Sequence, residues 1–249
     1  MIVDPFPILI PVKGDSVRCA GKNDKLLPYT ATYLHKEGRA SSVYVITDSP
    51  HLMELAATLN LKAHLEVRQP GQDELTSCKN YAAQNNIDAF FLCPTTQPFR
   101  SSGLLDQMEN VFMVKKVAYD FITTAITIPD RRLYYVERSE ERVRFKYFSK
   151  ERKGSNCRLE TMIDGAMYLI KTEFLCKVVA APNCNEVFWK GEFTCIENKA
   201  PFMDIDTLSD MQKFYFLRAY FKTDSAPLFI QSLNEKDGSS TSQPAMPCI

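Results

Sequence analysis

Four short apolar runs, each followed by an amphipathic segment, fill the first 115 residues and constrain the fold more than any other feature of the sequence. The runs begin near Ile8, Val43, Ala63 and Ala89, and each one ends in a polar loop. Nearly continuous apolar strands that alternate with helices are typical of a parallel sheet covered on both faces. We therefore predict a three-layer α/β/α fold with a mostly parallel sheet.

The segments between the apolar runs carry helix signals. Residues 25–38 and 73–84 place apolar side chains at helical spacing. Ser49-Pro50 offers an N-cap residue followed by proline at the first helical position. Ser101 or Ser102 can cap a fourth helix. Each predicted strand is thus followed by one predicted helix.

The second half of the chain is less regular. Residues 117–128 are rich in β-branched side chains and predict a strand. Residues 131–153 alternate in polarity and predict a β-hairpin or arm outside the main sheet; their nine Lys/Arg and four Glu leave a local charge of +5. Such a ribbon either faces water or forms a wall over an anionic substrate or a partner. Further predicted elements are a strand at 166–170 after Asp164-Gly165, an amphipathic segment at 172–179 and a strand near 192–196.

The overall composition argues against several classes of protein. Thirty basic and thirty acidic residues balance, so we predict no nucleic-acid partner and no membrane-surface partner. Eight scattered cysteines without a CxxC pair, and three histidines without ligand spacing, favour reduced thiols over disulfides or a zinc site. Prolines interrupt the first apolar run, so we predict neither a signal peptide nor a membrane span, and a cytoplasmic location.

The loop after the first apolar run has the chemistry of an anion site. In an open parallel sheet, ligands bind where the loops leave the carboxyl ends of the strands. We expect Thr47-Asp48, Arg68 and residues 94–100 to share that edge with this loop. Small residues let backbone N–H groups approach a phosphate, and basic residues neutralise it. The loop is either such a site or a solvated connection, and its candidate residues are Lys13, Gly14, Ser16, Arg18, Gly21 and Lys22.

Two carboxylates near the end of the chain suggest a metal site. Side chains alternate in an extended segment, so Asp204 and Asp206 point the same way while Ile205 turns inward. Such a pair can hold Mg²⁺ between protein and phosphates. The alternative is a plain turn and helix N-cap, since Thr207 and Asp210 form a capping pattern that opens a helix. Residues 234–249 have the composition of a disordered tail.

The order of these motifs resembles that of the acylneuraminate cytidylyltransferases, also called CMP-sialic acid synthetases. The shared motifs are Pro-x-basic-x-x-Ser to Lys-Asn, Thr-Asp-Ser, Pro-Thr…Pro-Phe-Arg, Gly-Ala-x-Tyr and Asp-Ile-Asp-Thr-x-x-Asp, and they cover about residues 8–217. The resemblance implies a nucleotide-diphospho-sugar transferase fold over 1–233. It also implies a homodimer in which an arm, here about 130–160, reaches over the neighbouring site.

The resemblance also implies a reaction and a site. The anomeric hydroxyl of a sugar acid attacks the α-phosphate of CTP, pyrophosphate leaves, and Mg²⁺ assists. By position, Lys22 and Asp206 are catalytic, and Asp204 with Asp206 holds the metal. Arg100, Tyr168 and Asp164, which replaces a usual Asn, fall on the sugar side. With the loop and sheet-edge residues, the nucleotide-binding set is Lys13, Gly14, Ser16, Arg18, Lys22, Asn23, Arg68 and Thr95.

Besides Asp164, and a loop that Thr96-Gln97 makes one residue longer, the sequence departs from the family pattern at three further places. Val17 stands where the family has a lysine, with Arg18 beside it, and Cys93 stands where a glutamine is frequent. The Arg-Gln pair of the family is not recognisable, although Arg152 or Arg158 could replace its arginine. Two alternatives to a sialic-acid enzyme therefore remain: a cytidylyltransferase for another keto-sugar acid, and a nucleotide-binding homologue without activity. Cys93 is alternatively a buried strand-end thiol.

Overall fold

A computed structural model of the chain describes residues 6–14, 16, 18–115, 118–129, 134–138, 143–148 and 159–221. These residues fall into two compact units, Met1–Asp204 and Ile205–Ile249. The predictions for Val17, Arg152, Arg158 and the 234–249 tail lie outside the described residues.

A seven-stranded sheet forms the centre of the first unit, in the order β3-β2-β1-β4-β8-β5-β9. Within this sheet only β8 runs antiparallel to its neighbours, so the predicted mostly parallel sheet is confirmed. The strands are β1 (Ile8–Val12), β2 (Val43–Thr47), β3 (Lys62–Leu65), β4 (Ala89–Leu92), β5 (Phe121–Pro129), β6 (Tyr134–Arg138), β7 (Val143–Phe148), β8 (Leu159–Lys171) and β9 (Phe193–Glu197).

Helices cover both faces of the sheet and complete the predicted three layers. They are α1 (Lys22–Lys36), α2 (Pro50–Thr58), α3 (Glu74–Gln84), α4 (Leu104–Val114), α5 (Thr172–Ala180) and α6 (Cys184–Trp189). Side chains alternate along a strand, so Ile8 and Ile10 of β1 pack in one apolar core with α1, α2 and α4. Leu9 packs in the opposite core with α3, α5 and α6. The sequence did not predict α6.

Helix α1 begins three residues earlier than the apolar pattern predicts. Gly21 precedes it in the left-handed conformation, with φ of 65°. The backbone N–H of Lys22 donates to the Cys19 carbonyl over 3.2 Å. Lys22 and Asn23 therefore lie on the first helical turn, and both are buried.

The Asp164-Gly165 pair lies inside β8 and not ahead of a strand that begins at Ala166. The pairing of β8 with β5 shifts register between Thr123 and Ala125, which marks a β-bulge. Gly165 has a φ of +67°, and a Cβ atom there would lie 3.0 Å from the Tyr168 hydroxyl. Asp-Gly is a common turn signal, but here the glycine lies within the bulge and adopts the positive φ found there.

Strands β6 and β7 form a separate antiparallel pair, which confirms the predicted hairpin. The second unit contains α7 (Leu208–Phe221). Its predicted capping pattern is present: the Thr207 hydroxyl accepts from the Asp210 backbone N–H, and the Asp210 carboxylate accepts from the Thr207 N–H. Across the described residues, no helix has both the length and the apolar character needed to cross a membrane.

Candidate functional site

The loops that follow the first strands meet at the carboxyl edge of the sheet, as the sequence predicts. Arg68 Nη2 donates to the carbonyls of Val12 and Ile46, the former at the end of β1 and the latter near the end of β2, over 3.4 Å each. The Thr95 hydroxyl, after β4, donates to the Asn23 side-chain carbonyl on α1 over 3.1 Å. These contacts bring three of the predicted nucleotide-binding residues to one edge.

The basic side chains of this edge act electrostatically on one carboxyl group, that of Glu74. Burial is the main cause of a raised pKa at Glu74, the first residue of α3, although much of the surface of that residue is exposed. The positive charges of Arg68, Lys13 and Lys22 act on the same carboxyl and oppose the rise, in that order. Arg68 is bonded to the carbonyl of Val12, the neighbour of Lys13, and the Lys13 carbonyl accepts from Asn23, the neighbour of Lys22. The three basic residues therefore lie at one corner of the crevice.

Two side chains that no sequence motif predicts, Glu66 and Gln72, hold Arg68 in place. Its side chain is only 6% exposed, and its Nε donates to Glu66 Oε2 over 3.3 Å. The other Glu66 oxygen accepts from Gln72 Nε2 over 2.7 Å. Arg68 Nη1 is buried without a hydrogen-bond partner. A buried donor without a partner is costly, so this nitrogen suits an acceptor on a ligand.

The rest of the first loop is more open. Arg18 is exposed, whereas Gly14 and Ser16 are half-buried. The Gly14 N–H donates to Asp48 Oδ1 over 2.8 Å, so in this structure the amide predicted to face a phosphate faces a carboxylate. The side-chain amide of Asn23 donates to the Lys13 carbonyl over 2.7 Å. Both groups of Asn23 are thus bonded to the protein itself.

Cys93 lies at the end of β4 and is fully buried. Burial raises the pKa of its thiol, and the charge of Arg100 opposes that rise. A neutral, enclosed thiol is a structural group. The interpretation of Cys93 as a buried strand-end thiol is confirmed.

Arg100 fastens the loop after β4 to β8. Its guanidinium is buried, donates from Nε to the Ala166 carbonyl over 2.9 Å, and donates from Nη2 to the Pro94 carbonyl. It also lies 5.7 Å from the centre of the Tyr33 ring. These are internal contacts, and a contact between Arg100 and a sugar stays a prediction.

Asp164 is the centre of a buried hydrogen-bond network. Its Oδ1 accepts from the Thr124 hydroxyl over 2.5 Å and from the Ala166 N–H over 3.2 Å. Its Oδ2 accepts from Asn198 Nδ2 over 2.7 Å. Asn198 also donates to the Phe99 carbonyl. The network joins β5, β8 and the loop after β4. No local pattern in the sequence predicts the roles of Thr124 and Asn198.

Two carboxylates act electrostatically on Tyr168 of β8. Tyr168 is half-buried, and burial raises the pKa of its hydroxyl, against a hydrogen bond with Thr123. The carboxylates of Asp164 and Asp204 add to the rise. Asp204 is itself exposed. The charge of a predicted metal ligand therefore acts on a predicted sugar-side residue.

Asp206 belongs to the second unit, where it is half-buried and its N–H donates to Asp210 Oδ2 over 3.4 Å. Within the described part of the chain, no group of three or more His, Cys, Asp or Glu side chains is arranged to hold a metal ion.

The topology and the comparisons with solved structures define the fold class as that of the nucleotide-diphospho-sugar transferases. A cytidylyltransferase from Leptospira borgpetersenii superposes with a TM-score of 0.63 and 16% identity, over 97% of this chain and 100% of that one. A CMP-2-keto-3-deoxy-manno-octonic acid synthetase in complex with CTP superposes with a TM-score of 0.59 and 14% identity, over 86% of this chain and 98% of that one. A 4-diphosphocytidyl-2C-methyl-D-erythritol synthase from Anaerococcus prevotii superposes with a TM-score of 0.57 and 11% identity, over 88% of this chain and 100% of that one.

No protein-family model and no curated protein sequence matches the chain. At these identities the solved structures establish the fold alone. All three are named as enzymes of cytidine nucleotides.

Proposed function

We propose that this protein is a nucleotidyltransferase that couples a sugar acid of the sialic-acid type to CTP and yields the CMP-sugar and pyrophosphate. The observation that carries the proposal is the placement of three basic residues, Lys13, Lys22 and Arg68, at the carboxyl edge of the sheet. Arg68 donates to the carbonyl of Val12, which precedes Lys13, and the Lys13 carbonyl accepts from Asn23, which follows Lys22. Three cations suit the triphosphate of a nucleotide, and the fold neighbours include a CMP-sugar-acid synthetase in complex with CTP.

The reaction needs positioning and charge neutralisation more than covalent catalysis. The anomeric oxygen of the sugar acid forms a bond to the α-phosphorus while its proton passes to solvent water, and the bond between the α-phosphorus and the bridging oxygen of the pyrophosphate breaks. That oxygen leaves with the electron pair. Lys22 suits the leaving group because it is buried on the first turn of α1, where the helix dipole also favours negative charge.

Asp204 and Asp206 are the residues that would hold Mg²⁺, since two carboxylates together with phosphate oxygens match its preference for oxygen ligands. When bound, the ion would neutralise charge on the phosphates. The burial of Ile205 and the exposure of Asp204 support this assignment, because they match the alternation of side chains that turns the two carboxylates away from the core.

A second candidate function is nucleotide binding without catalysis. The observation that favours it is the internal hydrogen bonding of Arg100 and Asp164, the residues predicted to contact the sugar. A different keto-sugar acid, recognised through other residues, accounts for the same observation.

Incubation of the purified protein with CTP, Mg²⁺ and a panel of sialic, keto-deoxyoctulosonic, pseudaminic and legionaminic acids tests the proposal. We expect pyrophosphate release with at least one acid, and a loss of about a hundredfold in turnover for Lys22→Ala and for Asp206→Asn. CTP binding without turnover on any acid favours the second candidate. Absence of CTP binding contradicts both.

The proposal includes a homodimer in which the β6–β7 hairpin of each subunit covers the site of the other. Light scattering on the intact chain and on a variant with residues 131–153 replaced by a short glycine-serine linker tests it. A dimer that persists after removal of the hairpin, with unchanged turnover, argues against a role for the arm.

A further inference from the structure

One peptide group of the first loop is held at both ends by side chains from two different elements. The Lys13 carbonyl and the Gly14 N–H belong to the same planar peptide unit. The carbonyl accepts from Asn23 Nδ2 over 2.7 Å, and the N–H donates to Asp48 Oδ1 over 2.8 Å. The orientation of this peptide is therefore fixed by two hydrogen bonds.

The two side chains that bind this peptide, Asn23 and Asp48, lie on segments that further hydrogen bonds hold in place. Asn23 is buried on the first turn of α1 and accepts from the Thr95 hydroxyl over 3.1 Å. Asp48 lies in a turn between β2 and α2, where the Ser49 N–H donates to the Thr47 hydroxyl and the Ser49 side chain caps α2. The two hydrogen bonds to this peptide, which we call the clamp, therefore link the loop after β1 to the ends of β2 and β4.

Close packing supports the clamp. A Cβ atom at Gly14 would lie 2.8 Å from Ser49 Cβ. Only glycine allows the loop to approach the Asp48 turn this closely. The loop thus rests directly on the turn that carries Asp48.

We propose that Asp48 is a positioning residue that, together with Asn23, fixes the Lys13–Gly14 peptide and so directs the Lys13 ammonium to the corner shared with Lys22 and Arg68. This inference rests on the proposed binding of CTP at that corner. It also implies that the Gly14 N–H keeps its hydrogen bond to Asp48 when nucleotide binds. The triphosphate is then recognised at this corner by side chains and not by the Gly14 amide. The opposite model is that Asp48 occupies an amide meant for phosphate and is displaced by the ligand.

Hydrogen exchange in the nucleotide-free protein tests the clamp itself. Asp48→Ala removes the acceptor, whereas Asp48→Asn keeps a side-chain oxygen in its place. We expect the Gly14 amide to exchange about tenfold faster in Asp48→Ala, the loss typical of one hydrogen bond to a charged group, and to remain protected in Asp48→Asn. The control is Glu54→Ala, which removes an exposed carboxylate from α2. Unchanged exchange in Asp48→Ala refutes the clamp.

CTP binding and turnover test the consequence for function. We expect KM for CTP to rise about tenfold in Asp48→Ala with a smaller change in kcat, and Asp48→Asn to restore most of the loss. Because Asp48 acts through Lys13, Asp48→Ala should add nothing in a Lys13→Ala background. Tighter CTP binding in Asp48→Ala, or fully additive losses, overturns the inference. If the wild-type protein does not bind CTP, the proposed function fails, while Gly14 exchange still decides whether the clamp exists.

Discussion

Replacement of Asp164 by asparagine should destabilise this protein, although asparagine is the usual residue at this position in the acylneuraminate cytidylyltransferases that the sequence resembles. The Asp164 Oδ2 atom accepts from Asn198 Nδ2 over 2.7 Å inside the buried network. In Asp164→Asn, the new oxygen can keep the bonds from Thr124 and Ala166, and the new NH₂ group then faces the NH₂ group of Asn198. The variant loses one charge-assisted hydrogen bond and gains two opposed donors.

The expected cost follows from these contacts. A buried hydrogen bond to a charged group contributes about 1.5–3 kcal/mol, and a donor left without a partner costs about as much again. We therefore expect the free energy of unfolding to fall by at least about 3 kcal/mol. With a typical urea dependence for a chain of this size, the unfolding midpoint should fall by about 1 M or more.

A double-mutant cycle separates this explanation from a general loss of packing. Asn198→Asp alone should cost at least as much, because two buried carboxylates then face each other. In the double variant, the amide introduced at position 164 can donate to the carboxylate introduced at position 198. The bond to the Phe99 carbonyl is lost, and a carboxylate oxygen faces that carbonyl, so the recovery is partial. We expect the double variant to recover at least half of the stability, measured by urea unfolding. Additive losses refute the network. An unchanged unfolding free energy with a raised KM for the sugar acid would instead make Asp164 a substrate contact.

Three further predictions concern single residues. Cys93→Ser should lower the unfolding free energy by about 1–3 kcal/mol, since it buries a hydroxyl, and should leave kcat/KM unchanged; a loss of turnover in a stable variant contradicts the structural role of Cys93. Gly165→Ala should cost about 1–2 kcal/mol in urea unfolding because of its positive φ, whereas equal stability would contradict the strained bulge. Glu74→Gln should tighten CTP binding about fivefold at neutral pH. Because the pKa of Glu74 is raised, the wild-type carboxyl takes up a proton as the pH falls and the difference should shrink in calorimetry at lower pH; a constant difference contradicts this.

The layers of the fold could be predicted because they depend on local patterns. The Ser49 cap is one such signal: its side chain accepts from the Leu52 N–H at the start of α2, as the sequence predicts. The Asp-Gly pair inside β8 shows the limit of such signals. The same two residues favour a turn or a bulge, and pairing with β5 decides between them.

The residues that organise the site could be predicted only in part. Lys13, Lys22 and Arg68 follow from the rule that loops at the carboxyl ends of parallel strands share an edge. Asn198 lies 34 residues from Asp164 along the chain, and Asp48 lies 34 residues from Gly14. Contacts of this kind depend on the register of packed strands and leave no pattern in the neighbouring sequence.

The proposed function depends above all on Lys13, Lys22 and Arg68 holding the triphosphate of CTP. A crystal structure of the protein with CTP and Mg²⁺ would decide this. We expect phosphate oxygens within hydrogen-bond distance of Lys22 and Lys13, with the buried Arg68 Nη1 donating to the nucleotide and the Gly14 N–H still on Asp48. CTP bound away from this corner, or no bound CTP at saturating concentration, would contradict it.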